Sequence, residues 1–255
     1  MNTTTIRQRL AMALACSGLT CAAYASDAVH WSYSGDTGPQ HWGTLSEDFA
    51  ACQKGKNQSP IDIITEDMVE AELDPLILEY KGQSTEIVNN GHALQLGVSA
   101  GSVMKVEGQV FKLIQFHMHS PSEHKIDGES FPLEVHFVHQ NDAGELAVVG
   151  LLYREGERHA ELWEIGQKAP SAGNSIPFVK QLKDVFPNAK YEVTDYYRYE
   201  GSLTTPPCSE GLRWYVYPTV GTVSREQIDS YVKLIGEDAR PSQPLNARMV
   251  LHTSD

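Results

Sequence analysis

The chain has 255 residues, 41 % of them hydrophobic and 21 % charged, with a formal net charge of −13 at pH 7. That much apolar content fills a core, and so large an excess of negative charge argues against nucleic acid and anionic membrane surfaces as partners. It favours solubility and points to no substrate.

Arg7 and Arg9 precede a mostly apolar run from Leu10 to Ala23 that is too short and too rich in small residues to span a bilayer. Ala23-Tyr24-Ala25 places small residues where a signal peptidase cuts. Residues 1–25 therefore read as an export signal. A membrane anchor and a lipoprotein cut at Cys21 are the weaker alternatives. Residues 26–255 read as one domain with 18 basic and 33 acidic side chains, and no membrane insertion is expected of this mature chain. Cys16 and Cys21 leave with the signal, so Cys52 and Cys208 remain. Two cysteines in an exported chain suggest one disulfide, and the alternative is a pair of free buried thiols.

Downstream, short strands are broken by Gly, Asn, Asp and Pro. Val103–Val106, Val110–His119, Leu133–Gln140 and Leu146–Tyr153 are the clearest. Glu107-Gly108-Gln109 and Asn141-Asp142-Ala143-Gly144 read as turns. A short helix is expected over Phe178–Phe186, stopped by Pro187. A better one runs over Arg225–Ile235, with Ser224 and Gln227 as a capping box, Ile228, Tyr231, Val232 and Ile235 on one face, and Gly236 at its end. The expected fold is mixed α/β but strand-dominated: a single domain around a large twisted, mainly antiparallel β-sheet with short peripheral helices.

His117 and His119 are two apart on one of those strands, so their rings share a face. If the following strand pairs beside it, His136 brings a third imidazole to the same point. Three neutral nitrogens with an open fourth position describe a catalytic zinc site, one ion per chain. Gln115 and Glu134 each lie two before a candidate ligand and can accept the N–H that the metal does not use. Phe116, Met118, Val135 and Phe137 alternate to the opposite face and fill core. On spacing alone His124 and His139 remain rival ligands, although His139 faces away if His136 faces in.

These residues are similar to a known family. Gln115-Phe116-His117-Met118-His119, Ser122-Glu123-His124 and Glu134-Val135-His136 resemble the α-class carbonic anhydrases. So do Asn57-Gln58-Ser59-Pro60-Ile61-Asp62-Ile63, Asn90-Gly91-His92, Gly201-Ser202-Leu203-Thr204-Thr205-Pro206-Pro207-Cys208 and Arg240-Pro241-Ser242-Gln243-Pro244-Leu245-Asn246, in the family's order. The likeness runs from about His30 to Val250 and is strongest to exported enzymes of Gram-negative bacteria, including the Cys52 and Cys208 pair. The stretch between the second and third ligands is shorter than in animal members, and Ser120 stands where those carry an aromatic.

The resemblance implies reversible hydration of carbon dioxide to bicarbonate and a proton by attack of zinc-bound hydroxide, in a periplasmic or secreted enzyme. It implies that Thr204 and Glu123 orient the nucleophile, an ionised Glu123 being able only to accept. Val138, Val148, Leu203 and Trp214 would form the dry wall for carbon dioxide, and Thr205 would contact bicarbonate. His92 would carry the proton to solvent, along a water chain held by Tyr33, Asn90 and Gln95. A homodimer is suggested by the resemblance alone. Rival readings are a zinc-dependent esterase, a non-catalytic binding module of the same fold, and a zinc store.

Overall fold

The computed structural model describes residues 29–185, 192–218 and 221–253, so the expected signal segment and Pro187 lie outside the described residues. Ten strands form the main path of the sheet: β1 Val69–Ala71, β2 Ser84–Asn89, β3 Leu94–Val98, β4 Gln109–His119, β5 Leu133–Gln140, β6 Leu146–Glu155, β7 Asn174–Pro177, β8 Tyr197–Ser202, β9 Glu210–Val216 and β10 Leu251–Thr253. Their order across the sheet is β7-β2-β3-β4-β5-β6-β9-β8-β10-β1. Most neighbours are antiparallel. The β6–β9 and β10–β1 pairs are parallel, and each is made by strands far apart in sequence, as a parallel pair requires.

Local chemistry sets the turns. Val106 pairs with Gln109, leaving Glu107 and Gly108 as a two-residue loop with φ of 51° and 70°. Positive φ at both positions matches the twist of a hairpin. At the β5–β6 turn the Asn141 side chain accepts from the N–H groups of Ala143 and Glu145. Helix α1 spans Ala160–Lys168 and helix α2 Arg225–Ile235, the latter opened by the expected reciprocal cap between Ser224 and Gln227.

The helix expected over Phe178–Phe186 is shorter, Leu182–Val185 within the described residues. Ser84 competes for the preceding backbone: its hydroxyl donates to Phe178 O and accepts from Lys180 N–H, and its own N–H donates to Lys180 O. These bonds hold residues 178–180 extended beside β2.

Strands β4 and β5 separate two cores. Phe116, Met118, Val135 and Phe137 alternate into a large cluster under α1 and α2. Val138, Val148, Leu212, Trp214 and Val216 fill a second cluster on the opposite face. Val138 pairs with Gln115 but His139 with Leu113, so Ile114 is the extra residue of a bulge. The bulge keeps Leu113 and Phe111 in the large core while Ile114 points outward, 44 % exposed.

Candidate metal centre

Register brings the ligand candidates together. His136 is directly opposite His117 across β4–β5, and Glu134 is opposite His119. The potential ligand atoms of His117, His119 and His136 lie within 4.8 Å of one another. Each ring sets its outer nitrogen against an acceptor. His117 Nδ1–H donates to Gln115 Oε1 at 2.9 Å, and His119 Nδ1–H donates to Asp238 O at 2.8 Å. His136 Nε2 lies 2.8 Å from Glu134 Oε1 without forming a well-aligned hydrogen bond. His119 Nε2 and His136 Nδ1 turn inward, 3.5 and 3.9 Å from Glu123 Oε2. His119 Nε2 is buried without a hydrogen-bond partner, which is costly unless something satisfies it.

The rival ligands stand elsewhere. His139 lies in the large core with its Nε2 2.9 Å from the Tyr80 hydroxyl. His124 Nδ1 meets Glu134 Oε1 at 2.7 Å and its Nε2 meets the Tyr199 hydroxyl at 2.7 Å. His124, Glu134 and His136 also form a close group, but their facing atoms already contact one another. Glu134 is a hub: its Oε2 accepts the backbone N–H groups of Glu123 and His124. Space for it comes from Gly150, which pairs with His136 on β6 and where a Cβ would come 2.9 Å from Glu134 Oε1.

Electrostatics favour a cation here. Glu123, Glu134 and Asp238 are each 1 % exposed or less. Arg240 is the one buried guanidinium within this group, spent on Gln58 Oε1, Ser59 O and Cys52 O. Burial works against charge on Glu134, yet His124 and His136 hold it well below the ordinary carboxylate range. Burial pushes Asp238 up to about 7, with His119 opposing. Burial and the neighbouring rings hold His117 well below the usual histidine range. Burial lowers His136 too, against the pull of Glu134. At His119 burial is outweighed by Glu123 and Asp238, which raise its pKa by favouring positive charge at that point. A bound cation supplies such charge without a proton, and three imidazoles are the donor set that zinc accepts with one position left open. The residues present therefore fit a zinc ion.

Around this cluster the other candidates are distributed unevenly. Trp214 packs 4.8 Å from the His136 ring and 4.6 Å from the His124 ring, in the same apolar cluster as Val138 and Val148, with Leu203 against it. Thr204 is buried and Thr205 half-buried in the turn after β8. The expected hydrogen bond from Thr204 to Glu123 is not formed. Glu123 Oε1 accepts from Arg240 N–H at 2.9 Å, and Oε2 is buried without a partner. Gln95 on β3 is paired with His117. His92 is half-buried and stacked on Trp31 at 3.7 Å between centroids. Burial, and then His30, lower its pKa. Asn90 Oδ1 accepts from the N–H groups of His92 and Ala93 and so fixes the turn that presents His92. The Tyr33 hydroxyl is buried and unpartnered, and its ring packs edge-on to Trp31. Burial raises its pKa, with Glu123 and Asp238 adding. Cys52 and Cys208 are joined by a disulfide, packed with Trp42 and flanked by Trp31 and Tyr33.

Sequence reasoning missed Asp238, Tyr231, Gly150 and Trp31. Only Trp31, two before Tyr33, carries a local signal.

A histidine cluster on the central strands of one large sheet, ringed by buried acids and facing an apolar wall, is the architecture of a metal-dependent enzyme for a small substrate. The eukaryotic-type carbonic anhydrase family model matches residues 37–254. A carbonic anhydrase of Pectobacterium atrosepticum is 43 % identical over 235 residues, covering 91 % of this chain and 94 % of that protein. The solved α-carbonic anhydrase of Photobacterium profundum is 44 % identical with a TM-score of 0.80, covering 87 % of this chain and 100 % of that one. That of Thermovibrio ammonificans, in complex with the inhibitor sulfanilamide, is 41 % identical with a TM-score of 0.81, covering 88 % and 99 %. The chain belongs to the α-carbonic anhydrase family, which is zinc-dependent, and it is an enzyme of reversible carbon dioxide hydration.

Proposed function

We propose that this chain hydrates carbon dioxide at a single zinc ion held by His117, His119 and His136, as an exported, periplasmic enzyme. The observation that carries the reading is the convergence of three imidazoles within 4.8 Å, their far nitrogens set against Gln115, Asp238 and Glu134.

A bound zinc ion supplies Lewis acidity that makes water a nucleophile near neutral pH. The chain's own residues do the rest. Glu123 Oε2, buried and unpartnered, is the acceptor available to the Thr204 hydroxyl. With its O–H donating a hydrogen bond to Glu123, the Thr204 oxygen can only accept, so it would orient the attacking water species with a lone pair toward carbon. Val138, Val148, Leu203 and Trp214 offer carbon dioxide an apolar wall, and Thr205 contacts bicarbonate. His92 takes up the released proton on a ring nitrogen. Its lowered pKa keeps the ring neutral and receptive at neutral pH. Tyr33, Asn90 and Gln95 order the water between the cluster and His92.

Export is supported by the disulfide, a bond of oxidising compartments, and by the signal-like residues 1–25. No helix among the described residues is long and apolar enough to cross a membrane.

The test is stopped-flow carbon dioxide hydration before and after zinc removal, beside a His119→Ala variant. Zinc restores the stripped wild type and leaves the variant inactive. Full activity in a metal-free sample overturns the reading.

A further inference from the structure

The strand carrying two of the metal-ligand candidates ends in an unusual set of ties. Asp238 lies three residues beyond helix α2 and is 1 % exposed. Its Oδ1 accepts the Ser120 N–H at 2.7 Å, and its own N–H donates to Ser120 O at 3.1 Å. Its Oδ2 accepts from the Tyr231 hydroxyl at 2.9 Å. That hydroxyl, projecting from α2, also faces Met118 O, so its single proton is shared between the two acceptors. The Asp238 carbonyl accepts from His119 Nδ1–H. Residues 118, 119 and 120 are thus tied in turn to the Tyr231 hydroxyl, the Asp238 backbone carbonyl and the Asp238 carboxylate. Two residues further on, the Arg240 N–H holds Glu123 Oε1. One short segment therefore fixes both His119 and Glu123.

We propose that Asp238 and Tyr231 are positioning residues for His119, forming a clamp that holds its ring on the cluster and slows release of the metal. The inference rests on the metal-site reading above. A carbonyl can orient an imidazole only if the carbonyl itself is fixed. Here the Asp238 carboxylate fixes it, through Ser120 on one side and Tyr231 on the other. Removing the carboxylate leaves the buried Ser120 N–H without its acceptor, a defect the segment relieves by moving. The His119 ring moves with it. Partners that orient a metal-bound histidine change metal affinity by about 10- to 100-fold, so the effect falls on metal release rather than on folding alone.

Zinc release from the folded holoenzyme into a chromogenic chelator tests this. The variants are Asp238→Ala, Tyr231→Phe, the double variant and Asp238→Asn, and the visible spectrum of each cobalt-substituted form reports ligand geometry. Asp238→Ala is expected to release zinc at least about 10-fold faster with an altered cobalt spectrum. Tyr231→Phe shifts both in the same direction. The double variant adds little, because the two act through one network. Asp238→Asn keeps an acceptor for Ser120 and recovers much of the loss. If Asp238→Ala melts at a lower temperature but releases zinc at the wild-type rate, Asp238 only stabilises the fold and the proposal fails. Should Asp238→Ala not fold, wild-type release by Tyr231→Phe has the same consequence. A wild type that binds no stoichiometric zinc instead removes the metal-site reading beneath it.

Discussion

His124 Nδ1–H donates to Glu134 Oε1 at 2.7 Å, and neither side chain is more than 1 % exposed. The ring therefore supports a neighbour of the metal cluster rather than belonging to it. His124→Gln is expected to keep one zinc per chain while leaving Glu134 and Tyr199 under-partnered. The loss in unfolding free energy is about 1–3 kcal/mol, the cost of a buried polar group without its bond. Metal content by atomic emission and urea unfolding check the two halves. Loss of zinc stoichiometry would place the ion among His124, Glu134 and His136 instead.

Gly150 faces His136 across the β5–β6 pair, and its missing side chain is what admits the Glu134 carboxylate. Gly150→Ala puts a methyl 2.9 Å from Glu134 Oε1 and 3.6 Å from a Val216 methyl, so the carboxylate has to shift. Zinc affinity should fall by about 10-fold, the effect of disturbing a histidine's outer partner. Chelator competition measures it, and an unchanged dissociation constant would refute the role given to this glycine.

What the sequence makes legible here is what repeats locally. The alternation in Gln109–His119 and Leu133–Gln140 sets both faces, so the three histidines, Gln115 and Glu134 follow from strand periodicity and one assumed pairing. The capping box of α2 is legible because Ser224 and Gln227 are three apart. Illegible features depend on distant partners. The Ile114 bulge is a property of the β4–β5 pairing. The failed helix at residues 178–181 turns on Ser84, more than ninety positions upstream. The ties of Asp238 to Ser120 span 118 positions, and nothing near either residue announces them. His124 shows the mixed case: its neighbours mark it as near the metal, but only contacts to Glu134 and Tyr199 remove it from the ligand set.

His92 stacks on Trp31 and presents its ring where the Asn90 turn holds it. His92→Ala should reduce kcat by at least about 10-fold, within reach of a lost general acid–base group, and leave kcat/KM nearly unchanged. The split arises because proton export follows the step in which carbon dioxide is attacked. Millimolar imidazole should restore much of kcat by carrying the proton itself. A proportional loss in kcat and kcat/KM, with no rescue, would move His92 from proton transfer to substrate binding or folding.

His139 provides a pH signature that belongs to the fold and not to the metal. It is fully buried in the large core, and burial lowers its pKa to about 4, against the opposing pull of backbone groups at Ala147 and Phe137. Burial also keeps its partner Tyr80 protonated. The unfolded chain protonates this histidine near 6.5, so between pH 6.5 and 4 the unfolded state binds the extra proton. Stability linked to His139 is therefore complete above about pH 6.5 and declines as pH falls toward 4. A shift of this size corresponds to about 3 kcal/mol. Acid weakens the metal site over part of the same range, so the informative quantity is the difference between proteins compared pH by pH. His139→Gln retains a group that can bond the Tyr80 hydroxyl and has no proton to gain. Urea unfolding from pH 7 to pH 4 should show the variant losing less stability than the wild type, the gap widening as pH drops. Parallel curves would mean that His139 reaches its proton in the folded state as easily as in the unfolded one.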